Sequence, residues 1–89
     1  MKEWTINFKL KAEKALLSFH PDIRKRILGK LYFWFRQENP FFFAVPTPYL
    51  DDATHRFRVG DYRILVIKRE KECLVVVVDI DDRKQVYRK

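Results

Sequence analysis

The sequence predicts an α+β domain: an N-terminal strand, a helical hairpin, then an antiparallel β-meander, with both helices packed on one sheet face. Three observations predict it. The hydrophobic period changes from two to that of a helix near Lys9. Two prolines, Pro21 and Pro40, bracket the second helical stripe. The last third is β-branched and apolar and is broken by Gly60-Asp61. The 89 residues are read as one domain, 1–89, and 47% hydrophobic and 16% aromatic content is enough to pack its core.

Each element follows from local pattern. Glu3 to Phe8 alternates, with Trp4, Ile6 and Phe8 on one side, which predicts a short strand. Leu10, Ala12, Ala15, Leu16, Leu17 and Phe19 then form a helix stripe, with Lys11, Glu13 and Lys14 on the wet side. His20-Pro21 breaks this helix, and Pro21 suits the first position of the next. Asp22 falls in its first turn, where the helix dipole favours an acid. The second helix is expected from Pro21 to Glu38, with Ile23, Ile27, Leu28, Leu31, Trp34 and Phe35 as its apolar stripe. Gly29 inside it costs roughly 1 kcal/mol against Ala, which close packing on the first helix would explain. Phe41 to Thr54 reads as a loop pinned to the core by its aromatics. Strands are expected at His55–Val59, Tyr62–Ile67 and Leu74–Ile80, with Cys73 as inert packing at the start of the last, and a short final strand at Gln85–Tyr87.

The hairpin carries the functional signal. With Gly60 and Asp61 as the two turn residues, Val59 pairs with Tyr62, Arg58 with Arg63 and Phe57 with Ile64. Strand parity then puts Phe57, Val59, Tyr62, Ile64 and Val66 on the helix side and Arg56, Arg58 and Arg63 on the other. Like charges directly opposite one another are destabilising, so folding alone does not account for the cluster. Guanidinium forks match phosphate oxygens, and the face reads as an anion site with Leu65, Val76 and Val78 as an apolar floor.

Charge and cysteine usage narrow the class. A net charge of +7 points to a polyanionic partner. A single cysteine excludes an internal disulfide framework, and two histidines with one cysteine supply no metal-ligand cluster. Neither a phosphate-binding glycine loop nor a serine nucleophile elbow is present. The reading is a cytoplasmic protein without cofactor, metal or membrane segment.

The run from His55 to Ile64, followed by an apolar strand and Asp82-Arg83-Lys84-Gln85-Val86-Tyr87-Arg88, resembles the RelE/ParE toxin superfamily. The matching patterns are the R-x-R-V-G-x-Y-R hairpin and a terminal R-x-x-V-Y. The resemblance implies the toxin of a toxin–antitoxin pair. For RelE-like members it implies a metal-independent endoribonuclease that cuts mRNA in the ribosomal A site by attack of a 2′-hydroxyl on the adjacent phosphate. It further implies that Arg63 stabilises the phosphorane and that Arg58, Arg83 and Tyr87 share in catalysis. Arg56, Arg58, Lys84 and Arg88 would bind RNA phosphate, and the partners would be a cognate antitoxin, mRNA and the ribosome.

Two departures from the RelE pattern bear on the chemistry. Arg56 and Arg58 stand where the best-known enzyme has lysines, and arginine is a poor base because it stays protonated. Asp81 stands where a further arginine is expected. The candidates for the base are Asp81, Asp82, His55 or none. A carboxylate beside arginines is expected to have a low pKa, and strand parity puts His55 on the helix side unless the strand starts later. The alternatives are a ParE-like DNA gyrase inhibitor and a degenerate member that only binds RNA or its antitoxin.

Overall fold

The computed structural model, which describes residues 3–82, runs β1 (Thr5–Phe8), α1 (Leu10–Ser18), α2 (Pro21–Trp34), a 3-10 turn (Pro40–Phe43), β2 (Val45–Pro46), β3 (His55–Val59), β4 (Tyr62–Arg69), a second 3-10 turn (Glu70–Glu72) and β5 (Leu74–Asp82). The sheet order is β1-β5-β4-β3-β2, antiparallel throughout except that β1 runs parallel to β5. The helices pack on one of its faces. The expected final strand at residues 85–87 lies outside the described residues.

The helix break works as its residues dictate. Pro21 opens α2, and the His20 ring caps it by accepting a hydrogen bond from the Asp22 amide at 3.2 Å. α2 ends at Trp34, four residues before the expected Glu38, because the chain passes into turns before Pro40. Ile27, Leu31, Trp34 and Phe35 are buried against the sheet, as the stripe predicted. Leu10 and Leu17 are not: both are 64% exposed, on the side of α1 opposite Ala12 and Leu16. A nine-residue helix at one edge of the sheet buries only a narrow stripe, so its flanking leucines stay wet.

The core is one apolar cluster in which Phe57, Ile64, Val66, Val75 and Val77 from the sheet meet Ala12, Ile27 and Leu31 from the helices. Aromatic rings close one end of it. Trp34 stacks on Phe57 at 4.9 Å, and Phe41 sits between Trp4, Phe35 and Phe57. Of the three consecutive phenylalanines only Phe41 is buried; Phe42 and Phe43 face out. The segment read as a loop therefore holds a 3-10 turn anchored by Phe41 and the short edge strand β2, which pairs with His55 and Arg56. Cys73 lies just before β5, in a left-handed turn conformation at φ 49°, and is half-buried.

The two glycines have opposite settings. Gly29 does not pack on α1: it is exposed, and a Cβ there would meet nothing within 4 Å. Gly60 has φ +57° while Asp61 has no positive φ, the pattern of a turn with glycine at its first central position. A Cβ at Gly60 would also lie 3.0 Å from a terminal nitrogen of Arg26. Gly29→Ala is accordingly expected to stabilise the domain by about 1 kcal/mol, raising the melting temperature by roughly 4–8 °C. Gly60→Ala is expected to destabilise it by roughly 1–2 kcal/mol. Thermal melts followed by circular dichroism read both signs.

Candidate nucleic-acid interface

The β3–β4 hairpin has the expected register: Val59 pairs with Tyr62, Arg58 with Arg63, Phe57 with Ile64 and Arg56 with Leu65. Phe57, Val59, Ile64 and Val66 are buried toward the helices, and Tyr62 packs there on Phe19 at 4.9 Å. Period two then turns Arg56, Arg58 and Arg63 together onto the opposite face. Arg58 Nε donates to the carbonyl of Gly60 at 3.0 Å, which fastens its guanidinium to the turn. None of the ion pairs among the described residues engages Arg56, Arg58 or Arg63. Three guanidiniums on one face, outside ion-pair distance of any carboxylate among the described residues, present bidentate donors to an outside anion.

The third strand across this face differs from the expected apolar floor. β5 sets Asp81 opposite Arg63 and Asp79 opposite Leu65. The register shifts at Leu65/Val66, so that Val78 becomes an unpaired extra residue and Val76 falls opposite Ile67, further from the arginines. Only Leu65 of the expected floor lies directly beside the arginines. A bulge displaces every later partner by one residue, and no residue type in this apolar run marks where it falls.

Asp79 and Asp81 are neighbours on that face. Asp79 accepts from the Ile80 amide at 2.9 Å, and its other oxygen meets Lys11 Nζ at 3.2 Å. Lys11 reaches it because β1 stops at Phe8, the Lys9 amide bonds to Val77 O at 2.9 Å, and α1 then flanks β5 beyond that point. The Lys11 ammonium has its pKa raised, first by its hydrogen bond to Asp79 and then by that carboxylate's charge.

The Asp81 carboxyl has its pKa raised, the reverse of the sequence expectation. Partial burial is the main cause, the charge of Asp79 the next, and a hydrogen bond to Asp79 adds to it. Lys11 offsets part of the rise, and Arg63, across the strand pair and outside ion-pair distance, offsets least. The Asp81 carboxylate therefore holds a proton more readily than an ordinary aspartate.

His55 takes the helix-side parity: it pairs with buried Val66, packs on Phe41 at 4.9 Å, and shares a hydrogen bond with the Thr54 hydroxyl at 3.0 Å. Its pKa is lowered by burial and then by Lys68. The structure does not bring it to the arginines. Asp82 pairs with Tyr62 and has the opposite parity from Asp81. Arg83, Lys84, Tyr87 and Arg88 lie outside the described residues.

Further along the arginine face is a cavity of about 510 Å³ lined by Lys9, Leu10, Lys11, Asp52, Ile67 and Val78. Lys11, Asp52 and Asp79 are the polar groups of this face that sequence reasoning passed over. The spacing of Asp79 and Asp81 marks them as a same-face pair, whereas Lys11 and Asp52 arrive only through tertiary packing. Among the described residues, no three His, Cys, Asp or Glu side chains group as metal ligands, and no helix is long and apolar enough to cross a membrane.

No protein-family model matches this chain, and no curated sequence is significantly similar to it. Solved structures are similar in fold. A chain of the RelBE2 toxin–antitoxin complex of Mycobacterium tuberculosis superposes with a TM-score of 0.79 at 23% identity, covering 92% of this chain and all of that one. A chain of the archaeal RelE–RelB complex of Pyrococcus horikoshii gives 0.70 at 20% identity, covering 92% of this chain and 97% of that one. A chain of the intact Escherichia coli RelBE complex gives 0.70 at 14% identity, covering 89% and 95%. The chain has the RelE-like fold, strand order and helix placement included.

The raised pKa of Asp81 has a sign that can be measured. The folded chain binds the Asp81 proton more tightly than the unfolded chain, whose value is 3.8, so this group's contribution weakens stability as pH rises from 3.8 through the folded value. Asp81→Asn removes that penalty and keeps an N–H to donate to Asp79. The variant is expected to melt higher than the parent near neutral pH, with the difference shrinking as pH falls from the folded value toward 3.8 and vanishing below it. Melting curves across this range read the trend, and a variant less stable at every pH would contradict the assignment.

Proposed function

We propose that this RelE-like fold serves as the toxin of a toxin–antitoxin pair, a metal-independent endoribonuclease acting on mRNA in the ribosomal A site in the cytoplasm. The observation that carries the reading is the outward cluster of Arg56, Arg58 and Arg63, with Arg58 and Arg63 directly across a strand pair and none of the three ion-paired among the described residues. The similarity of the fold to chains of RelBE complexes supports it.

In this reading Arg58 and Arg63 grip the scissile phosphate and neutralise the charge that builds on its oxygens in the transition state. Arg56 holds a neighbouring phosphate. A base must take the proton of the attacking 2′-hydroxyl. Arginine stays protonated, so on the described part of this face the carboxylates are the groups able to accept it. Asp81 lies opposite Arg63, and its raised pKa suits it to the task better than an ordinary carboxylate. The 2′-oxygen attacks phosphorus as Asp81 takes its proton. The bond to the 5′-oxygen breaks, that oxygen is protonated from solvent, and a cyclic phosphate remains. Arg83 and Tyr87 complete the site, with Lys84 and Arg88 on flanking phosphates.

The partner that silences such a site is an antitoxin with an acidic or amphipathic segment. Phe42 and Tyr49, 78% and 69% exposed, leave apolar surface for a protein to cover.

Primer extension on messages from a translation extract supplied with the chain tests the reading. Cuts in frame with codons are expected. Arg63→Ala is expected to slow cleavage about 10²-fold or more, and Asp81→Asn by a comparable factor, both with a single cooperative melting transition and neither melting below the parent by enough to account for the loss. Intact message together with inhibited gyrase supercoiling would replace this reading with the ParE-like one. Toxicity untouched by Arg63→Ala would replace it with a binding-only role.

A further inference from the structure

Lys11 stands where its own helix does least for it. It lies in the first turn of α1, which opens without a side-chain cap, and the helix dipole disfavours a cation there. Its ammonium is instead 3.2 Å from Asp79 Oδ2. The two ends of that pair differ: the Lys11 side chain is 76% exposed and that of Asp79 15%. Replacing Lys11 therefore removes a charge and little packing, whereas the Asp79 charge sits where solvent and salt screen it less.

Asp79 is the link between Lys11 and Asp81. One of its oxygens accepts from the Ile80 amide at 2.9 Å and the other meets Lys11, so its carboxylate is held in one orientation. Asp81 follows two residues later on the same face of β5, about 7 Å along the strand. Two carboxyls at that spacing titrate as a pair: negative charge on one makes the other a better proton acceptor. A cation clamped on Asp79 weakens that effect at its source. The charged groups around Asp81 are Asp79 on its own strand, Lys11 from α1 and Arg63 from β4, with Arg58 one strand further on. Asp79 raises the proton affinity of Asp81; Lys11 lowers it, and Arg63 lowers it less. The Asp52 carboxylate acts in turn on Lys11.

We propose that Lys11 is a positioning residue of the nuclease site: by clamping Asp79 it sets the pH above which Asp81 is free to take the proton of the attacking 2′-hydroxyl. This inference rests on the nuclease reading and adds the group that tunes its base. Lys11 acts through the acid pair and not on the substrate. With Lys11 in place the Asp81 proton leaves at lower pH, and cleavage extends further toward the acid side. Without it Asp79 acts unopposed, Asp81 keeps its proton to higher pH, and the acid limb of the rate moves up.

The test titrates the Asp81 side-chain carboxyl carbon of the full chain by NMR and follows single-turnover cleavage of a message on purified ribosomes over the same pH range. Lys11→Met is expected to move the Asp81 midpoint up by about 0.5–1 pH unit, and Lys11→Arg to restore it. Asp79→Asn is expected to move it down. The acid limb of cleavage is expected to follow the midpoint in each variant, with rates well above the limb staying within about threefold of the parent in the lysine variants. Lys14→Met, which removes an exposed charge from the wet side of the same helix, is expected to move neither. An Asp81 midpoint unmoved by Lys11→Met, an equal move in Lys14→Met, or a limb that does not follow the midpoint overturns the positioning role and leaves the nuclease reading standing. Absence of any cleavage by the parent overturns both.

Discussion

Two like charges held directly across a strand pair set the terms for the rest of this molecule. The Gly60-Asp61 turn fixes the register, and the register puts Arg58 opposite Arg63. Repulsion at that spacing opposes the hairpin by some tenths of a kcal/mol up to about 1 kcal/mol. The apolar pairs on the other face oppose that repulsion: Phe57, Ile64 and Val66 are fully buried, and slipping the strands by one residue would turn all of them to water. The core thus holds the guanidiniums together, and their mutual repulsion makes a bound phosphate more welcome than it would be beside a single arginine. The interaction of Arg58 with the Gly60 carbonyl restricts the guanidinium without neutralising it.

The carboxylates on β5 belong to the same arrangement and act differently from what adjacency alone would imply. Asp81 faces Arg63 across the sheet, yet partial burial and the nearby Asp79 outweigh that arginine's pull. Lys11 binds Asp79 at 3.2 Å, and its charge only partly offsets the rise at Asp81. A strand carrying two same-face acids beside three arginines therefore divides the labour: one acid is committed to an ammonium, and the other keeps an affinity for protons. This division depends on α1 starting where β1 stops, because only there does Lys11 come within 3.2 Å of Asp79.

The opposite end of the sheet is organised by rings. Phe41 bridges Trp4, Phe35, Phe57 and His55, with Lys68 over its face at 4.9 Å. This cluster fixes the segment leading to β2 and engages His55 on the side away from the arginines. The buried Thr47 continues the same job, closing the short excursion that carries Asp52 back toward β4. Binding elements and core are joined by these few hydrogen bonds and ring contacts.

Local pattern by itself determined the fold class, the break at His20-Pro21, the β3–β4 hairpin and the face on which its arginines stand. Each of these is settled within a few residues: proline geometry, a two-residue turn, and the strict alternation of a strand. The end of α2 at Trp34, the exposure of Leu10 and Leu17, and the open surroundings of Gly29 were decided by how much sheet surface the helices have to cover. Only tertiary structure decided that β1 joins β5 in parallel, that a bulge at Leu65/Val66 brings Asp79 and Asp81 beside the arginines in place of valines, and that Lys11 and Asp52 reach the same face. Those contacts join residues dozens of positions apart, and the proton affinity of a carboxyl depends on what has gathered around it, which no local periodicity records.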